Sequence, residues 1–207
     1  MQIFTEHKAE EFLEREGFPV VQRRLFNDYV SAFNYAKRIG FPVVLKLASD
    51  KLLHKTEVNA VRLNVNSENF LREFMNLITM KIEKQGVMVQ KFINGKFVIL
   101  GIKKDPTFGH VIVAGIGGIF AEVIKDVSFR ILPINKKEAL EMLKELKGHE
   151  ILTSYREEKI GVKQIIEVML KISKIAKKYP EISELDINPL IVNANNANIV
   201  DARIVFE

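Results

Sequence analysis

A glycine-bearing turn followed by charged residues is the part of this sequence best suited to chemistry. Its glycines are Gly115, Gly117 and Gly118, and Glu122, Asp126 and Arg130 follow at four-residue intervals. Glycine adopts positive φ and lets the backbone approach another group closely. Apolar stretches on both sides, 111–114 and 119–127, predict buried strands that hold the turn in place. The pattern therefore predicts a rigid cradle for a phosphate-sized ligand.

Lys46 lies in the apolar run PVVLKL at 42–47, which predicts a buried strand. A lysine that points inward among valines is costly to bury unless an anion or a carboxylate accompanies it. We therefore expect an anionic partner at Lys46. The alternative is a lysine whose ammonium group reaches solvent from the strand end.

Two polar side chains, Asn188 and Asp201, stand in the last part of the chain. The runs 182–192 and 199–206 predict a closing hairpin around the asparagine-rich turn 193–198. Oxygen ligands on facing strands can share a hard cation and leave positions for phosphate and water. Asp186, on the same face as Asn188, could support them. The alternative is a turn at Asn188 and a cross-strand partner at Asp201.

The elements that must position these residues predict an α+β fold of two lobes. A smaller lobe at 19–89 meets a larger lobe at 90–207 through a hinge near 90–94, and helix 1–18 is a possible addition to the larger lobe. We expect a ligand cleft between the lobes. Helices are predicted at 6–16, 28–39, 67–81, from Asn135 and at 162–178, and strands at 19–24, 42–47, 60–65, 87–92, 97–103, 109–114, 119–125, 182–192 and 199–206.

Composition limits the classes of protein that fit. The 207 residues are 47% apolar, contain no cysteine and carry a net charge of +5. Disulfides and thiolate chemistry are therefore excluded, and a cytoplasmic location is expected. The N-terminus lacks a signal-peptide pattern, and no apolar run is long enough to span a membrane. No arginine-rich or aromatic-interleaved stripe indicates nucleic acid as a partner.

Several long blocks together resemble the ATP-grasp β subunit of the ADP-forming acyl-CoA synthetases, including the acetyl-CoA synthetases. The blocks cover almost the whole chain, which the resemblance makes a single ATP-grasp domain, 1–207. They read FPVVLKLAS at 41–49, LLHKTEV at 52–58, VMVQKFI at 87–93, GIKKDPTFG at 101–109, GIGGIFAEVIKDVSFRILPI at 115–134, ELDINPLIV at 184–192 and IVDARI at 199–204. The resemblance implies interconversion of acyl-CoA, ADP and phosphate with acid, CoA and ATP through a phosphohistidine. It also implies a separate CoA-binding α subunit.

The resemblance implies roles for individual residues. His54 would accept a phosphoryl group, Glu122 would orient the incoming histidine, and Arg130 would hold a phosphoryl oxygen, with an internal Glu122–Arg130 ion pair as the alternative. Mg²⁺ would bind at Asn188 and Asp201. ATP or ADP would be bound by Lys46, Lys55, Gln90, Lys91, Phe92, Ile93, Gly115, Gly117 and Gly118.

Three positions depart from the family pattern. Asn59 and Ala60 replace two glycines of a phosphate loop, Phe97 replaces a glutamate, and Ser154–Glu157 lacks glycines around Tyr-Arg. These departures leave a second hypothesis open, a degenerate ATP-grasp subunit with a binding or regulatory role and little turnover. A third is an ATP-grasp ligase that joins a carboxylate to an amine, although such a ligase needs no phosphohistidine.

Overall fold

The structure is a computed structural model, and it describes residues 1–49, 58–118, 126–153 and 161–207. The strand predicted at 119–125 and the departure at Ser154–Glu157 lie outside these ranges. The chain divides into two compact units, one of Val21–Ile93 and one that joins Met1–Val20 to Asn94–Glu207.

The smaller unit is an antiparallel sheet with helices on one face. The sheet has the order β2–β5–β3–β4 over the described residues. Asp28 begins the first helix of this unit by accepting a hydrogen bond of 2.8 Å from the Ser31 amide. The elements are β2 (Arg23–Phe26), α2 (Tyr29–Ile39), β3 (Val43–Ala48), β4 (Val61–Val65), α3 (Phe70–Ile78) and β5 (Gly86–Lys91).

The larger unit has a second antiparallel sheet. Its described strands have the order β1–β11–β9–β6–β7–β8, and β10 pairs with β9. The strands are β1 (Gln2–Phe4), β6 (Lys96–Asp105), β7 (Gly109–Ile116), β8 (Val127–Ile131), β9 (Ile182–Val192), β10 (Ala197–Ile199) and β11 (Ala202–Phe206). The described helices are α1 (Glu6–Arg15), α4 (Lys136–Glu145), α5 (His149–Thr153) and α6 (Val162–Lys178).

Alternation along the strands of the larger sheet separates its two faces. Leu100, Ile112 and Ile187 are fully buried in one cluster with residues of α1, α4 and α6. Their neighbours in sequence point to the opposite side. We call this side, which carries Gly101, Asp186 and Asn188, the outer face of the larger sheet. The sequence pattern therefore places its polar residues on the face away from the apolar core.

Most predicted elements are confirmed, and the differences have local causes. The helix 162–178 has the predicted bounds, and Asn135 with Glu138 forms the expected capping box. α3 begins at Phe70 rather than at 67, because the Asn69 side chain accepts a bond from the Asn66 amide and closes a turn first. No helix within the described ranges combines the length and apolar character that a membrane span needs.

Two strand predictions need correction. The strand expected at 19–24 starts at Arg23, since Val20 makes only an isolated bridge to Ile199. The final run 199–206 is two strands, β10 and β11, with a break at Val200 and Asp201. The break matters because Asp201 is one of the predicted cation ligands.

Candidate functional site

The break between β10 and β11 brings Asp201 opposite Asn188. The Asn188 amide donates to the Asp201 carbonyl oxygen at 3.2 Å, and the Val200 amide donates to the Pro189 carbonyl oxygen at 3.3 Å. Asn188 is exposed and Asp201 is half-buried. Both flank buried residues of the core, Ile187 and Ala202, so both lie on the outer face. The structure therefore brings the predicted pair together.

The next rung of the ladder carries Asp186 and Arg203, which are direct partners across β9 and β11. The Arg203 Nη1 lies 3.7 Å from the Glu184 Oε1 atom. Burial raises the pKa of the Asp186 carboxyl above its ordinary value, Glu184 raises it further, and Arg203 opposes both effects. The outer face thus holds charged groups beside the Asn188–Asp201 pair.

An amide oxygen and a carboxylate are suitable donors for a hard cation such as Mg²⁺. Within the ranges that the structure describes, no group of three histidine, aspartate or glutamate side chains is arranged to hold a metal. Two protein ligands that leave positions for phosphate and water fit the way Mg²⁺ usually binds with a nucleotide. The donor chemistry of Asn188 and Asp201 therefore fits Mg²⁺ bound together with a phosphorylated ligand.

The glycine turn packs directly on Phe97. The Gly117 amide donates to the Phe97 carbonyl oxygen at 2.7 Å. A Cβ at Gly117 would lie 2.9 Å from the Phe97 Cβ and 3.1 Å from its carbonyl carbon, which no ordinary contact allows. Gly118 has φ +91, and a Cβ there would lie 3.6 Å from the Phe97 ring. Two of the three predicted ligand-binding glycines are thus required by the contact with Phe97 or by positive φ.

Gly115 has a separate packing reason. A Cβ at this position would lie 2.9 Å from the Asp126 carbonyl oxygen and 2.9 Å from a Val127 methyl group. The glycine lets β7 and β8 approach where they pair. The sequence signal for a ligand cradle therefore includes the internal packing of the sheet.

Arg130 lies on the face opposite Asn188. It pairs with Ile112 across β7 and β8, and Ile112 belongs to the helix-packed core. Its guanidinium forks onto Glu145 of α4, with Nη1 at 3.0 Å from Oε2, and Ser128 donates to the same Oε2 atom at 2.7 Å. These bonds lower the pKa of Glu145 and raise that of Arg130. The structure therefore joins Arg130 to α4 and not to the predicted cation pair.

Asp126 also has a local role. Its carboxylate accepts hydrogen bonds from the Lys147 and Gly148 amides, each at 2.8 Å. These amides follow the end of α4, so Asp126 fixes the chain between α4 and α5. Asp126, just before β8, and Arg130, within β8, thus each connect this part of the sheet to the helical layer.

In the smaller unit, Lys46 and Gln90 lie on one face of the sheet. Lys46 pairs with Met88 on β5, and Gln90, two residues later, pairs with Val44. Both polar side chains are buried, with 6% and 1% of their surface exposed. They face away from the core that contains Leu45. Lys46 is therefore buried, as expected, but on the face of the sheet opposite the helix-packed core.

The rest of the predicted adenine-binding segment begins with Lys91, the last residue of β5. The Lys91 amide donates to the Gln22 carbonyl oxygen at 2.9 Å, so this N–H is engaged within the unit. Phe92 and Ile93 come after the strand and are half-buried. The backbone of Phe92 and Ile93 therefore suits ligand contact better than that of Lys91.

The altered phosphate-loop positions keep part of the glycine geometry. Asn59 has φ +53, which is the left-handed region that asparagine tolerates better than most residues. Ala60 is fully buried in the core of the smaller unit, and its carbonyl oxygen accepts a bond of 2.9 Å from the Leu47 amide. The residue that needs positive φ is thus asparagine, and the alanine has a packing role.

Four predicted positions or segments lie outside the described residues: His54, Lys55, Glu122 and Ser154–Glu157. Sequence reasoning missed two residues that matter to the geometry, Arg203 and Glu145. Arg203 had a usable signal, because it stands two residues after Asp201 and therefore shares its face. Glu145 had none, since its pairing with Arg130 depends on how α4 packs.

Comparison with known proteins agrees with this fold. A family model described as an ATP-grasp domain matches residues 1–206. Two proteins of Pyrococcus furiosus named as β subunits of ADP-forming acetate–CoA ligases are 35% and 37% identical, each across 98% of this chain and 91% of the relative. An ADP-forming acetate–CoA ligase of Archaeoglobus fulgidus is 39% identical over 94% of this chain and 30% of its own length.

Solved structures resemble this chain over nearly its whole length. The dinucleotide-forming acetyl-coenzyme A synthetase 1 of Ca. Korarchaeum cryptofilum, with coenzyme A and Ca-AMPCP, has a TM-score of 0.93 at 34% identity, covering 100% of this chain and 94% of the other. A second structure of that protein, with Mg-AMPPCP, has a phosphohistidine segment pointing towards the nucleotide-binding site. Its TM-score is 0.86 at 36% identity, over 99% of this chain and 93% of the other. The chain belongs to the ATP-grasp family, within the group of the ADP-forming acetate–CoA ligases, which confirms the predicted family and fold.

Proposed function

We propose that this chain is the nucleotide-binding β subunit of an ADP-forming acyl-CoA synthetase, a ligase. It interconverts acyl-CoA, ADP and phosphate with acid, CoA and ATP through a phosphohistidine. The observation that carries the proposal is the Asn188–Asp201 pair on adjacent strands of an ATP-grasp fold. An amide oxygen and a carboxylate in this arrangement are suited to a cation that accompanies nucleotide phosphates.

In the proposed site, Asn188 and Asp201 hold Mg²⁺, which offsets phosphate charge when it is bound. Lys46 contributes a buried positive charge for nucleotide phosphates. The segment 90–93 contacts the adenine, chiefly through Phe92 and Ile93. The role of the glycine turn is to keep its backbone close to the ligand, with Phe97 beneath it.

The phosphoryl step passes through histidine. In the direction of ATP synthesis, the P–N bond of a phosphohistidine that is protonated on its other ring nitrogen breaks, a terminal oxygen of ADP forms the new P–O bond, and neutral imidazole leaves. His54 is the proposed acceptor on this chain, and Lys55 and Glu122 are proposed to assist it; all three assignments rest on the resemblance. We assign Arg130 a structural role instead, because its guanidinium forks onto Glu145.

The proposed partner is a CoA-binding α subunit. The Pyrococcus furiosus relatives are named as β subunits, and this naming supports a second subunit as the partner. The composition and the family both favour a cytoplasmic enzyme.

The test is phosphorylation in the presence of a candidate α subunit. With Mg-ATP labelled in the γ-phosphate, the wild-type chain should give a phosphoprotein that is labile to acid and stable to base, as a phosphohistidine is. His54→Ala should remove the label from this chain, and His149→Ala is the matched histidine control. Label that persists unchanged in His54→Ala would contradict the assignment of His54.

A low-turnover subunit is favoured by one observation, Phe97 under the glycine turn where the family has a glutamate. Asn59 and Ala60 favour it less, since Asn59 keeps positive φ and Ala60 is well packed. The single change Phe97→Glu separates the two functions. It should raise turnover with an α subunit many-fold if the chain is degenerate, and it should leave turnover equal or lower if the chain is an active subunit.

A further inference from the structure

Arg203 is a positively charged residue beside the Asn188–Asp201 pair that the proposed mechanism does not use. It lies on β11 directly opposite Asp186 on β9. Its Nη1 atom is 3.7 Å from the Glu184 Oε1 atom, which is a loose ion pair. The Nε–H group of Arg203 is buried and has no hydrogen-bond acceptor among the residues that the structure describes. The guanidinium is therefore not saturated by Glu184 and remains available to Asp186.

The position of Arg203 relative to the cation pair follows from strand geometry. Asp186 and Asn188 are two residues apart on β9, and Arg203 is two residues beyond Asp201 on the facing segment. Side chains two residues apart share a face and are separated by about 6–7 Å along the strand. The guanidinium thus stands one rung away from the two proposed Mg²⁺ ligands, on the same outer face.

The charges on these three rungs are unequal. Glu184, Asp186 and Asp201 are carboxylates. Arg203 lies opposite Asp186 and beside Glu184, and Lys103 of β6 lies opposite Glu184. Three carboxylates near one another would attract a bare divalent cation strongly and repel nucleotide phosphates. One guanidinium held between Glu184 and Asp186 reduces both effects.

We propose that Arg203 is a positioning residue that holds Glu184 and Asp186 away from the cation, so that the site takes Mg²⁺ together with a nucleotide rather than alone. The inference rests on the proposed function and deepens it by naming what sets the ligand preference of the site. A purely structural Arg203 would tie β9 to β11 and nothing more. The two roles predict different effects of removing Arg203 on the binding of Mn²⁺ alone and on the binding of ADP with Mn²⁺.

The expected effects have opposite signs. Replacement by Arg203→Gln removes one positive charge beside Glu184 and Asp186, so Mn²⁺ alone should bind more tightly and ADP in the presence of Mn²⁺ should bind more weakly. A unit charge about 7 Å away, at an effective dielectric constant of about 40–80, changes the affinity for divalent Mn²⁺ by roughly seven- to fiftyfold and that for a ligand of single net charge by roughly three- to sevenfold. A structural role predicts that both affinities fall together or that neither changes.

The experiment measures Mn²⁺ binding by electron paramagnetic resonance and ADP binding by calorimetry on the full chain. Arg203→Lys should retain the wild-type preference because it keeps the charge. Glu184→Gln should weaken Mn²⁺ binding without ADP, which tests the charge balance if Arg203→Gln does not fold. Lys104→Gln is the matched control, since Lys104 lies on the same sheet and pairs with Glu207.

The outcomes separate the inference from the proposed function. Opposite changes in Arg203→Gln, with wild-type behaviour in Arg203→Lys, support the inference. The inference would be overturned if the two affinities change in the same direction in Arg203→Gln, if neither changes, or if Lys104→Gln has an equal effect. In each of these cases, binding of ADP with Mn²⁺ to the wild-type chain leaves the proposed function intact. A wild-type chain that binds no ADP with Mn²⁺ would overturn both.

Discussion

The Asn188 amide donates to the Asp201 carbonyl oxygen at 3.2 Å, and this bond sets two oxygen-bearing side chains side by side although they are distant in sequence. The bond lies where β10 ends and β11 begins, so the half-buried Asp201 stands in the interruption of the strand, next to Asn188. A backbone feature of the last hairpin thus creates the arrangement on which the proposed function depends.

The smaller unit should respond differently to glycine at its two altered loop positions. Ala60→Gly removes a fully buried methyl group and adds backbone freedom, so the free energy of unfolding should fall by about 1–2 kcal/mol. Asn59→Gly should change it by less than about 0.5 kcal/mol, because φ is already +53. Urea denaturation of both variants checks this. Equal losses would contradict the distinct roles.

The glycine turn should not accept alanine. Gly117→Ala places a methyl group 2.9 Å from the Phe97 Cβ, which should lower the free energy of unfolding by about 1–3 kcal/mol. The double variant Gly117→Ala with Phe97→Ala does not relieve this, since alanine at position 97 keeps both the Cβ at 2.9 Å and the carbonyl carbon at 3.1 Å. Gly109→Ala is the comparison variant: Gly109 has φ +72 and open space around it, so any loss of stability there comes from the backbone conformation and not from a steric clash. A Gly117→Ala protein as stable as wild type would rule out the contact with Phe97.

The Arg130–Glu145 pair predicts a pH dependence of stability. The pKa of Glu145 is lowered from its ordinary 4.5 in the folded chain by Arg130 and Ser128. Its stabilising effect is therefore complete above the ordinary pKa and is lost as the pH falls through the lowered one. The difference in Tm between wild type and Glu145→Gln should shrink as the pH falls from about 7 to about 3.

A matched variant for this measurement is Glu167→Gln, whose exposed partner Lys163 lies 3.9 Å away. Its Tm should remain near that of wild type throughout, because exposed pairs contribute little. A Tm difference for Glu145→Gln that stays constant with pH would show that the pair does not act through the ionised carboxylate.

Lys46 should be needed for nucleotide binding more than for folding. Lys46→Met replaces the ammonium group with an apolar side chain of similar length on a buried face. The protein should fold, and the rise in Tm produced by millimolar Mg-ADP should become much smaller than in wild type. Lys81→Met, at an exposed position of the same unit, is the control. A full ligand-induced rise in Lys46→Met would exclude Lys46 from the phosphate site.

Local patterns predicted much of the fold. The capping box at Asn135, the helix 162–178 and the alternation in 182–192 depend on neighbouring residues, so their sequence signals are sufficient. The break at Val200 depends on hydrogen bonds to residues of β9. The sequence pattern of 199–206 is that of a continuous strand, so the break could not be predicted from it.

Only part of the candidate site could be predicted from the sequence. Asn188 and Asp201 follow from strand alternation in a hairpin, which is a local argument. Arg130 illustrates the opposite case, because regular spacing after a glycine turn does not reveal which face of a sheet a residue occupies when the neighbouring strand is unknown. Its pairing with Glu145 depends on the docking of α4, which no local pattern encodes.

The most direct test of the central claim is calorimetric titration of ADP into the wild-type chain, with and without Mg²⁺, beside Asp201→Asn and Asn188→Ala. The proposed function predicts Mg²⁺-dependent binding of ADP to wild type and a loss of at least tenfold in affinity in both variants, equal to about 1.4 kcal/mol. Binding to wild type that is absent, or that is the same in Asp201→Asn as in wild type, would contradict it.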